Sequence, residues 1–220
     1  MKILLPLLAL LLGASAAPAA PTITCHCFQD RSFEPQRPAA TDPYILATTQ
    51  NSLLAAAFGL PKKEVVRAKM AGASGDRLWV IHYLAARSGH AAGQIEAARQ
   101  RASEWQSVLS SLRFDPGFLS PRFISALVAA GSDETLAEAA VNATLESRLG
   151  AEPAAIEALR TAGATSQETI LAIFIGLRTG WPARELFQRV TSGNATWGEI
   201  LHASGLEAMN IDDEIGRLLR

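Results

Sequence analysis

The sequence predicts an all-α protein built from tandem helix hairpins, and three observations support this. Glycine recurs at the intervals of helix ends, Ser or Thr stands where helices begin, and alternating runs rich in Val, Ile and Thr are missing. The 220 residues are 49% hydrophobic and 19% charged, which excludes a disordered chain. The net charge of -1 and the two cysteines argue against a dedicated nucleic-acid binder and against a disulfide scaffold.

The first element is an export signal over residues 1–19. Lys2 gives it a positive start, an apolar run follows from Ile3 to Leu12, and small residues with A-x-A spacing end it. Ten helical residues span about 15 Å, half of the hydrocarbon core, so the run is too short to cross a membrane. We therefore expect a periplasmic or secreted protein with a cleaved signal and no transmembrane segment in the mature chain.

Residues 20–41 follow, and their content of Pro, Thr and Ala predicts an extended N-terminal arm. Asp42 is predicted as the N-cap of the first helix because a proline follows it, and Gly59 is predicted to end that helix. In the same way, Ser120 is predicted to begin a helix that Gly131 ends. Asn210 is predicted to cap the last helix, so that the acids at 212–214 lie in its first turn rather than forming a carboxylate site.

Capping boxes, in which Glu or Gln follows a Ser or Thr by three residues, predict further helix starts at Ser103, Thr165 and Thr196. The predicted helices are 43–58, 62–71, 75–88, 91–101, 104–113, 121–130, 133–149, 153–162, 166–179, 182–191, 196–204 and 211–219. Residues 78–84 and 170–175 are apolar on nearly every side, which indicates two fully buried helices. Trp105 and Trp197 are predicted as large core residues.

A repeat organises these helices. Gly59, Val65 and Gly72 are spaced by six and then seven residues, and similar triplets occur at Gly150/Ile156/Gly163, Gly180/Leu186/Gly193 and Gly89/Ile95/Ala102. The two halves align at an offset of 91, with seven identities between residues 54–89 and their counterparts. A helix hairpin cannot bury its apolar stripe alone. We therefore predict two tandem halves, 42–131 and 132–220, packed as one compact or solenoid-like body.

Two short stretches resemble known sequences. Residues 191–206, with the segment Ala195-Thr196-Trp197-Gly198-Glu199-Ile200, resemble the helix-turn-helix of DNA-binding domains, and the resemblance implies DNA binding. The export signal and the absence of a basic stripe are inconsistent with that role, so we interpret the stretch as helix-hairpin packing. Residues Cys25–Arg31 resemble the mature start of uncharacterised exported bacterial proteins, and this resemblance implies no known activity.

Cys25, His26 and Cys27 are the candidate site. Two thiols and an imidazole are ligands for Cu(I) or Zn(II), although further ligands would have to come from elsewhere in the chain. In an oxidising compartment, Cys25 and Cys27 could instead form a small, strained disulfide or pair with another chain. Metal binding, a structural disulfide and thiol redox chemistry therefore all stay open. No catalytic residue or other cofactor is predicted.

Charge is uneven between the halves. Residues 61–77 carry five basic against two acidic side chains, and residues 131–157 carry six acidic against one basic. Opposite patches of this kind can steer self-association or the binding of different partners. The motifs of nucleotide-binding loops, serine hydrolases and zinc proteases are absent from the sequence.

We expect a non-enzymatic, exported helical protein that binds an envelope protein or itself, or that has a structural role. The first alternative is a periplasmic metal-binding or thiol-redox protein that uses Cys25, His26 and Cys27. An enzyme with an unrecognised site is the second alternative.

Overall fold

The computed structural model describes residues 28–219. Over this range the protein is all-α, as the sequence predicts, with twelve α-helices, two short 3₁₀ helices at Pro116–Phe118 and Ala208–Asn210, and no strand. The α-helices are α1 (Asp42–Phe58), α2 (Lys62–Met70), α3 (Gly75–Ser88), α4 (Ala92–Arg101), α5 (Trp105–Ser111), α6 (Pro121–Val128), α7 (Asp133–Leu149), α8 (Pro153–Thr161), α9 (Ser166–Thr179), α10 (Ala183–Thr191), α11 (Trp197–Ala203) and α12 (Ile211–Leu218). The predicted signal peptide and the predicted site at Cys25, His26 and Cys27 lie outside the described residues.

Local signals account for most helix ends. The seven glycines of the predicted repeat all have positive φ, and Gly72 and Gly163 turn the chain sharply between two helices with φ of 94° and 89°. The capping boxes of α9 and α11 are confirmed. In the first, the Thr165 hydroxyl accepts from the Glu168 amide at 3.3 Å, and Glu168 accepts from the Thr165 amide at 2.9 Å.

The prediction that Asp42 caps its own helix is wrong. The N-cap of α1 is Thr41, whose side chain makes no capping hydrogen bond. The Asp42 carboxylate instead accepts from the backbone amides of Trp197 at 3.1 Å and Gly198 at 2.8 Å. These are two of the donors that the start of α11 leaves without helical partners. Asp42 therefore caps a helix 155 residues further along the chain.

Two further helix-end predictions are wrong. The predicted box at Ser103 does not form, because α5 begins at Trp105 after Glu104, which makes no side-chain capping bond. Gly131 does not end α6, which stops at Val128, and the left-handed residue is Ala130 with φ 53°. Gly131 has a different role, since an added Cβ would lie 2.8 Å from the Ala126 carbonyl oxygen.

The core is one continuous cluster of buried side chains around α1, α3, α7 and α9. α3 packs on α7 and α1 packs on α9, so in the centre each helix of the first half packs against a helix of the second half. α6 covers α7, and α12 returns to cover α1. Because the last helix closes on the first, the body is a compact bundle and not an open solenoid.

Helices of the two halves have matching bounds. α1 to α4 begin at residues 42, 62, 75 and 92, and α7 to α10 begin at residues 133, 153, 166 and 183. The helices α1 and α7 have 17 residues each, α2 and α8 have 9, and α3 and α9 have 14. These bounds agree with an offset of 91 residues, and the duplication itself stays a prediction.

The predicted tryptophans are buried, and so are the two predicted apolar runs except for His82, which is partly buried; α1 and α7 have buried runs at 48–55 and 139–145 that the sequence did not predict. In α9, every residue from Thr169 to Ile175 is buried, and Trp79 in α3 is 0% exposed. Trp105 and Trp197 are buried at the starts of α5 and α11. No helix among residues 28–219 combines the length and apolarity that a membrane span requires.

Residues 28–41, the described part of the predicted extended arm, form a series of turns that packs against α11. Backbone hydrogen bonds close these turns, including one from the Arg37 amide to the Glu34 carbonyl at 2.9 Å. The Phe33 ring stacks on His202 with centroids 4.7 Å apart, and the Pro38 carbonyl accepts from the Thr196 hydroxyl at 3.2 Å. The stretch that resembles a helix-turn-helix, residues 191–206, is therefore covered at the start of α11.

Candidate functional site

An open cavity of about 620 Å³ lies where the two halves meet. It is bordered by Phe28, the first half of α1, the end of α2, the starts of α3 and α7, and the turn that leads into α9. Its polar lining includes Gln50, Asn51, Lys69, Asp76, Glu134, Glu138 and Gln167. A cavity of this size matches the sites that proteins use for small molecules.

Both halves contribute corresponding positions to this lining. Asp76 and Gln167 are 91 residues apart, as are Gly75 and Ser166, and all four border the cavity. The cavity therefore lies at the junction where equivalent elements of the two halves face each other. The residue types differ between the halves, so the two sides offer different chemistry.

Lys69 is the basic group of the cavity. Its side chain comes from the last turn of α2 and the residue is 8% exposed. The ammonium donates to the Gln50 Oε1 at 3.0 Å and forms no ion pair with any described residue. Burial lowers the pKa of Lys69 to about 8, against the opposing attraction of Asp76.

Arg160 occupies the corresponding position in the second half, and its guanidinium is saturated. It donates to the Asn142 Oδ1 from two nitrogens, at 3.2 and 3.0 Å. Further bonds reach the Ser166 hydroxyl, the Ala164 carbonyl and the Glu138 carboxylate at 3.2, 3.2 and 3.5 Å. The Arg160 guanidinium therefore uses all its hydrogen-bond donors within the fold, whereas the Lys69 ammonium uses one of three.

Gly75 lies against the Lys69 ammonium. A Cβ at Gly75 would lie 3.3 Å from both the Cε and the Nζ of Lys69, which is tighter than most real contacts. At the corresponding position in the second half, Ser166 fills this space and bonds to Arg160. A side chain at position 75 would therefore crowd the Lys69 ammonium, which borders the cavity.

Four carboxylates border the cavity: Asp76, Glu134 and Glu138, and Asp42, which is bound to the start of α11. Burial raises the pKa of Asp76, and the negative charge of Glu134 raises it further. Only Glu138 forms an ion pair, with Arg160. In the part of the chain that the structure covers, no three metal-ligating side chains are placed to hold a metal ion.

Asn51 adds an unused hydrogen-bonding group. The residue is 1% exposed, and its Oδ1 has no hydrogen-bond partner among the described residues. Next to it, the Gln50 Oε1 accepts from both Lys69 and the Gln167 amide, the latter at 3.2 Å. Buried polar groups in proteins are nearly always paired, and the Asn51 Oδ1 is one of six buried side-chain atoms without a hydrogen-bond partner among the described residues.

The sequence prediction did not identify this site. Its charged members fall within the two charged segments, 61–77 and 131–157, which the structure brings together through α3 and α7. Arg77 and Asp133 join these segments by an ion pair of 2.9 Å. Extending the 91-residue alignment towards the N-terminus would have paired Asn51 with Asn142 and so pointed to α1.

Comparisons with protein-family models, with curated proteins and with solved structures give no match.

Proposed function

We propose that this chain is an exported, non-enzymatic binding protein whose ligand occupies the cavity between its two halves. One observation carries the proposal: Lys69 is buried without an ion pair, and Asn51, whose Oδ1 has no hydrogen-bond partner, borders the same cavity. A buried charge and an unpaired amide both destabilise the folded state. A ligand that pairs with both groups offsets this destabilisation. Polar groups in a protein core are instead paired with other groups of the same chain.

Retention of small molecules tests the proposal. The purified protein is incubated with the small-molecule fraction of a periplasmic extract, passed through a desalting column and examined by mass spectrometry. We expect at least one compound to stay bound to the wild type and to be lost from Lys69→Met. Lys63→Met is the matched control, because Lys63 is exposed in the same helix and does not border the cavity.

Identical retention by the wild type and Lys69→Met would contradict the proposal. The proposed export depends on residues 1–19 and has its own test. Alkaline phosphatase fused to residues 1–27 is expected to become active outside the cytoplasm, and an inactive fusion would contradict export.

A second proposal is metal binding or thiol redox chemistry at Cys25, His26 and Cys27. It is supported by the three adjacent ligand side chains in the sequence alone. Thiol titration before and after reduction separates a disulfide from free thiols, and elemental analysis detects bound copper or zinc. A thiol titre that reduction leaves unchanged, together with the absence of bound copper and zinc, would contradict both forms of this proposal.

A further inference from the structure

We propose that Lys69 binds an uncharged aldehyde or ketone covalently, as an imine on its Nζ, and this inference rests on the function proposed above. Three features of the site carry it. A lysine stands at a buried position where the second half has an arginine, the Nζ borders the cavity with a single neutral partner, and a carboxyl group lies next to it.

The choice of lysine at position 69 departs from the rest of the chain. The sequence contains sixteen arginines and four lysines, and the corresponding position in the second half is Arg160. Lys69 is also the only charged residue that is buried among residues 28–219. A guanidinium stays protonated in proteins, whereas a lysine can lose its proton and attack a carbonyl carbon. The buried position therefore holds a basic side chain that can act as a nucleophile.

The surroundings of the Lys69 Nζ favour the neutral amine. Its hydrogen-bond partner is the uncharged Gln50 Oε1 at 3.0 Å, and it forms no ion pair with a described residue. Burial lowers the pKa of Lys69 to about 8 against the attraction of Asp76, so about a tenth of the Lys69 side chains are neutral at pH 7. For a lysine with the ordinary pKa of 10.5, the neutral fraction is about one in three thousand.

Imine formation needs a group that moves protons, and Asp76 is placed for this role. The Nζ lone pair forms a bond to the carbonyl carbon, and the carbonyl oxygen takes up two protons and leaves as water. The nitrogen gives up two protons as the C=N bond forms, so amine and carbonyl yield imine and water. Asp76 lies close enough to Lys69 for their charges to attract, and burial and the charge of Glu134 raise its pKa. Its carboxyl group can therefore give a proton to the oxygen and accept one from the nitrogen.

The lining of the cavity selects against anionic carbonyl compounds. Four carboxylates border the cavity against one ammonium, and the ammonium loses its charge when it reacts. A keto acid would therefore be repelled. The wall also includes the apolar side chains of Leu46, Ala47 and Ala164, and a volume of about 620 Å³ holds a small organic molecule. These features together favour an uncharged aldehyde or ketone with an apolar body.

Trapping of the imine tests the inference. The full-length protein is incubated at pH 7 with limiting butanal and sodium cyanoborohydride, which reduces an imine to a stable secondary amine, and the labelled lysines are located by peptide mass spectrometry. Lys62 and Lys63 lie in the same helix and serve as internal standards. We expect Lys69 to be labelled at least roughly tenfold faster than either, because a larger fraction of its amine is neutral.

Succinic semialdehyde tests the selection by charge. It has the same length as butanal but ends in a carboxylate, and Lys63 reports the intrinsic reactivity of each aldehyde. We expect the ratio of Lys69 to Lys63 labelling to be at least roughly threefold lower with succinic semialdehyde than with butanal. An equal ratio for the two aldehydes would overturn the selection of an uncharged ligand.

Asp76→Asn tests the proton transfer. The substitution removes the attraction that keeps Lys69 protonated, so it would speed the labelling of Lys69 if Asp76 acted through its charge alone. We expect labelling to slow by roughly threefold or more instead, because the group that moves protons is lost. Asp213→Asn is the matched control and is expected to keep the wild-type rate, since Asp213 is exposed and lies away from the cavity. Faster labelling of Asp76→Asn would refute the role of Asp76.

Two outcomes would overturn the imine while leaving the proposed binding function intact. One is labelling of Lys69 by butanal that is no faster than that of Lys63. The other is a compound from the periplasmic extract that the wild type retains but that cyanoborohydride does not attach to Lys69. Identical retention of extract compounds by the wild type and Lys69→Met would instead refute the proposed function.

Discussion

Lys69 and Arg160 lie 91 positions apart, one in each half, and differ in how fully their charges are hydrogen-bonded. The guanidinium of Arg160 has five hydrogen bonds inside the fold, whereas the ammonium of Lys69 has one. A buried charge without a counter-ion opposes folding. Lys69 therefore lowers the stability of the ligand-free protein, which is the trade-off expected of a binding residue.

Lys69→Met is expected to stabilise the protein at pH 7, by at most on the order of 3 kcal/mol, because it removes this buried charge. The folded-state pKa of Lys69 is about 8, below its ordinary value of 10.5, with Asp76 on α3 as the opposing charge. The unfolded chain binds more protons between these two values, so wild-type stability rises with pH across that window. Urea denaturation at pH 7 and at pH 10.5 measures the difference.

The advantage of Lys69→Met is expected to shrink towards pH 10.5, where the wild-type ammonium is largely deprotonated in the folded state. Arg160→Met is the matched comparison, and it is expected to destabilise the protein by on the order of 3 kcal/mol because Glu138 and Asn142 lose their partner. A Lys69→Met variant less stable than the wild type at both pH values would show that Lys69 is structural.

Asp133 joins three donors from the first half of the chain. Its carboxylate accepts from the Trp105 indole at 2.8 Å, from Arg77 at 2.9 Å and from Arg99 at 3.3 Å. Burial opposes ionisation of Asp133, but the hydrogen bonds of these donors together outweigh burial and lower its pKa. Asp133 thus stabilises the folded state above its ordinary pKa, and this contribution is lost as the pH falls through the folded-state value.

Asp133→Asn is expected to destabilise the protein by about 1.5–3 kcal/mol at pH 7, since bonds to a charged acceptor are lost. The same substitution is expected to have a smaller effect once the pH has fallen through the lowered folded-state pKa of Asp133, where the wild-type carboxyl is also neutralised. Urea denaturation at pH 7 and along a series of decreasing pH values checks this. An unchanged difference at low pH would mean that the packing of Asp133, and not its charge, is what matters.

At the scale of the helix, sequence prediction succeeded where the signals are local. The starts of α3, α7 and α9 and the bounds of the buried helices follow from nearby caps, glycines and apolar patterns. It failed where a helix end is satisfied from a distance. Asp42 has the residue type and the following proline of an N-cap, yet tertiary packing places its carboxylate at α11. The two 3₁₀ turns have no periodic pattern and were not predicted.

The docking of residues 28–41 on α11 depends on Gly198. A Cβ at this position would lie 2.7 Å from the Pro38 carbonyl oxygen and 3.1 Å from the Thr41 hydroxyl. Gly198→Ala is therefore expected to destabilise the protein by about 1–3 kcal/mol, as overpacking does. It is also expected to speed the proteolysis of residues 28–41, which a time course with a nonspecific protease would measure.

Gly93→Ala is the matched control for this prediction. Gly93 is the second residue of α4, as Gly198 is of α11, and an added Cβ there meets no atom within 4 Å. Alanine favours a helix, so this variant is expected to be neutral or slightly stabilised. Equal stability of the two variants would mean that residues 28–41 do not pack closely against Gly198 of α11.

At the scale of the whole molecule, the sequence predicts the content of the two halves but not how they interlock. The spacing of glycines predicts where each helix hairpin begins and ends. Which other hairpins it packs against depends on side-chain shapes from the full chain. The candidate site has the same origin, because Lys69 and Asp76 meet Glu134 only when α3 packs on α7. Residues that are unremarkable within their own hairpin therefore become a site at the junction.

Neither half is expected to fold by itself, because each contributes half of a shared core. α1 packs on α9 and α12, and α3 packs on α7, so residues 28–131 alone would expose the apolar faces of both central helices. Separately expressed halves, 20–131 and 132–220, are expected to lack a cooperative thermal transition as monomers. Their equimolar mixture is expected to recover the helical circular-dichroism signal and a single cooperative transition of the intact chain.

Sedimentation at low protein concentration distinguishes a folded monomer from an assembly of one half with itself. Self-assembly of one half would agree with the interlocked arrangement. If the halves are related by duplication, a second copy of one half can cover the apolar surface that the other half covers in the intact chain. If the halves need each other to fold, diluting the mixture should dissociate the two halves and unfold them at the same protein concentration. A half that melts cooperatively as a monomer would show that its core is complete, and the packing of α1 on α9 would then be an interface between two independent domains.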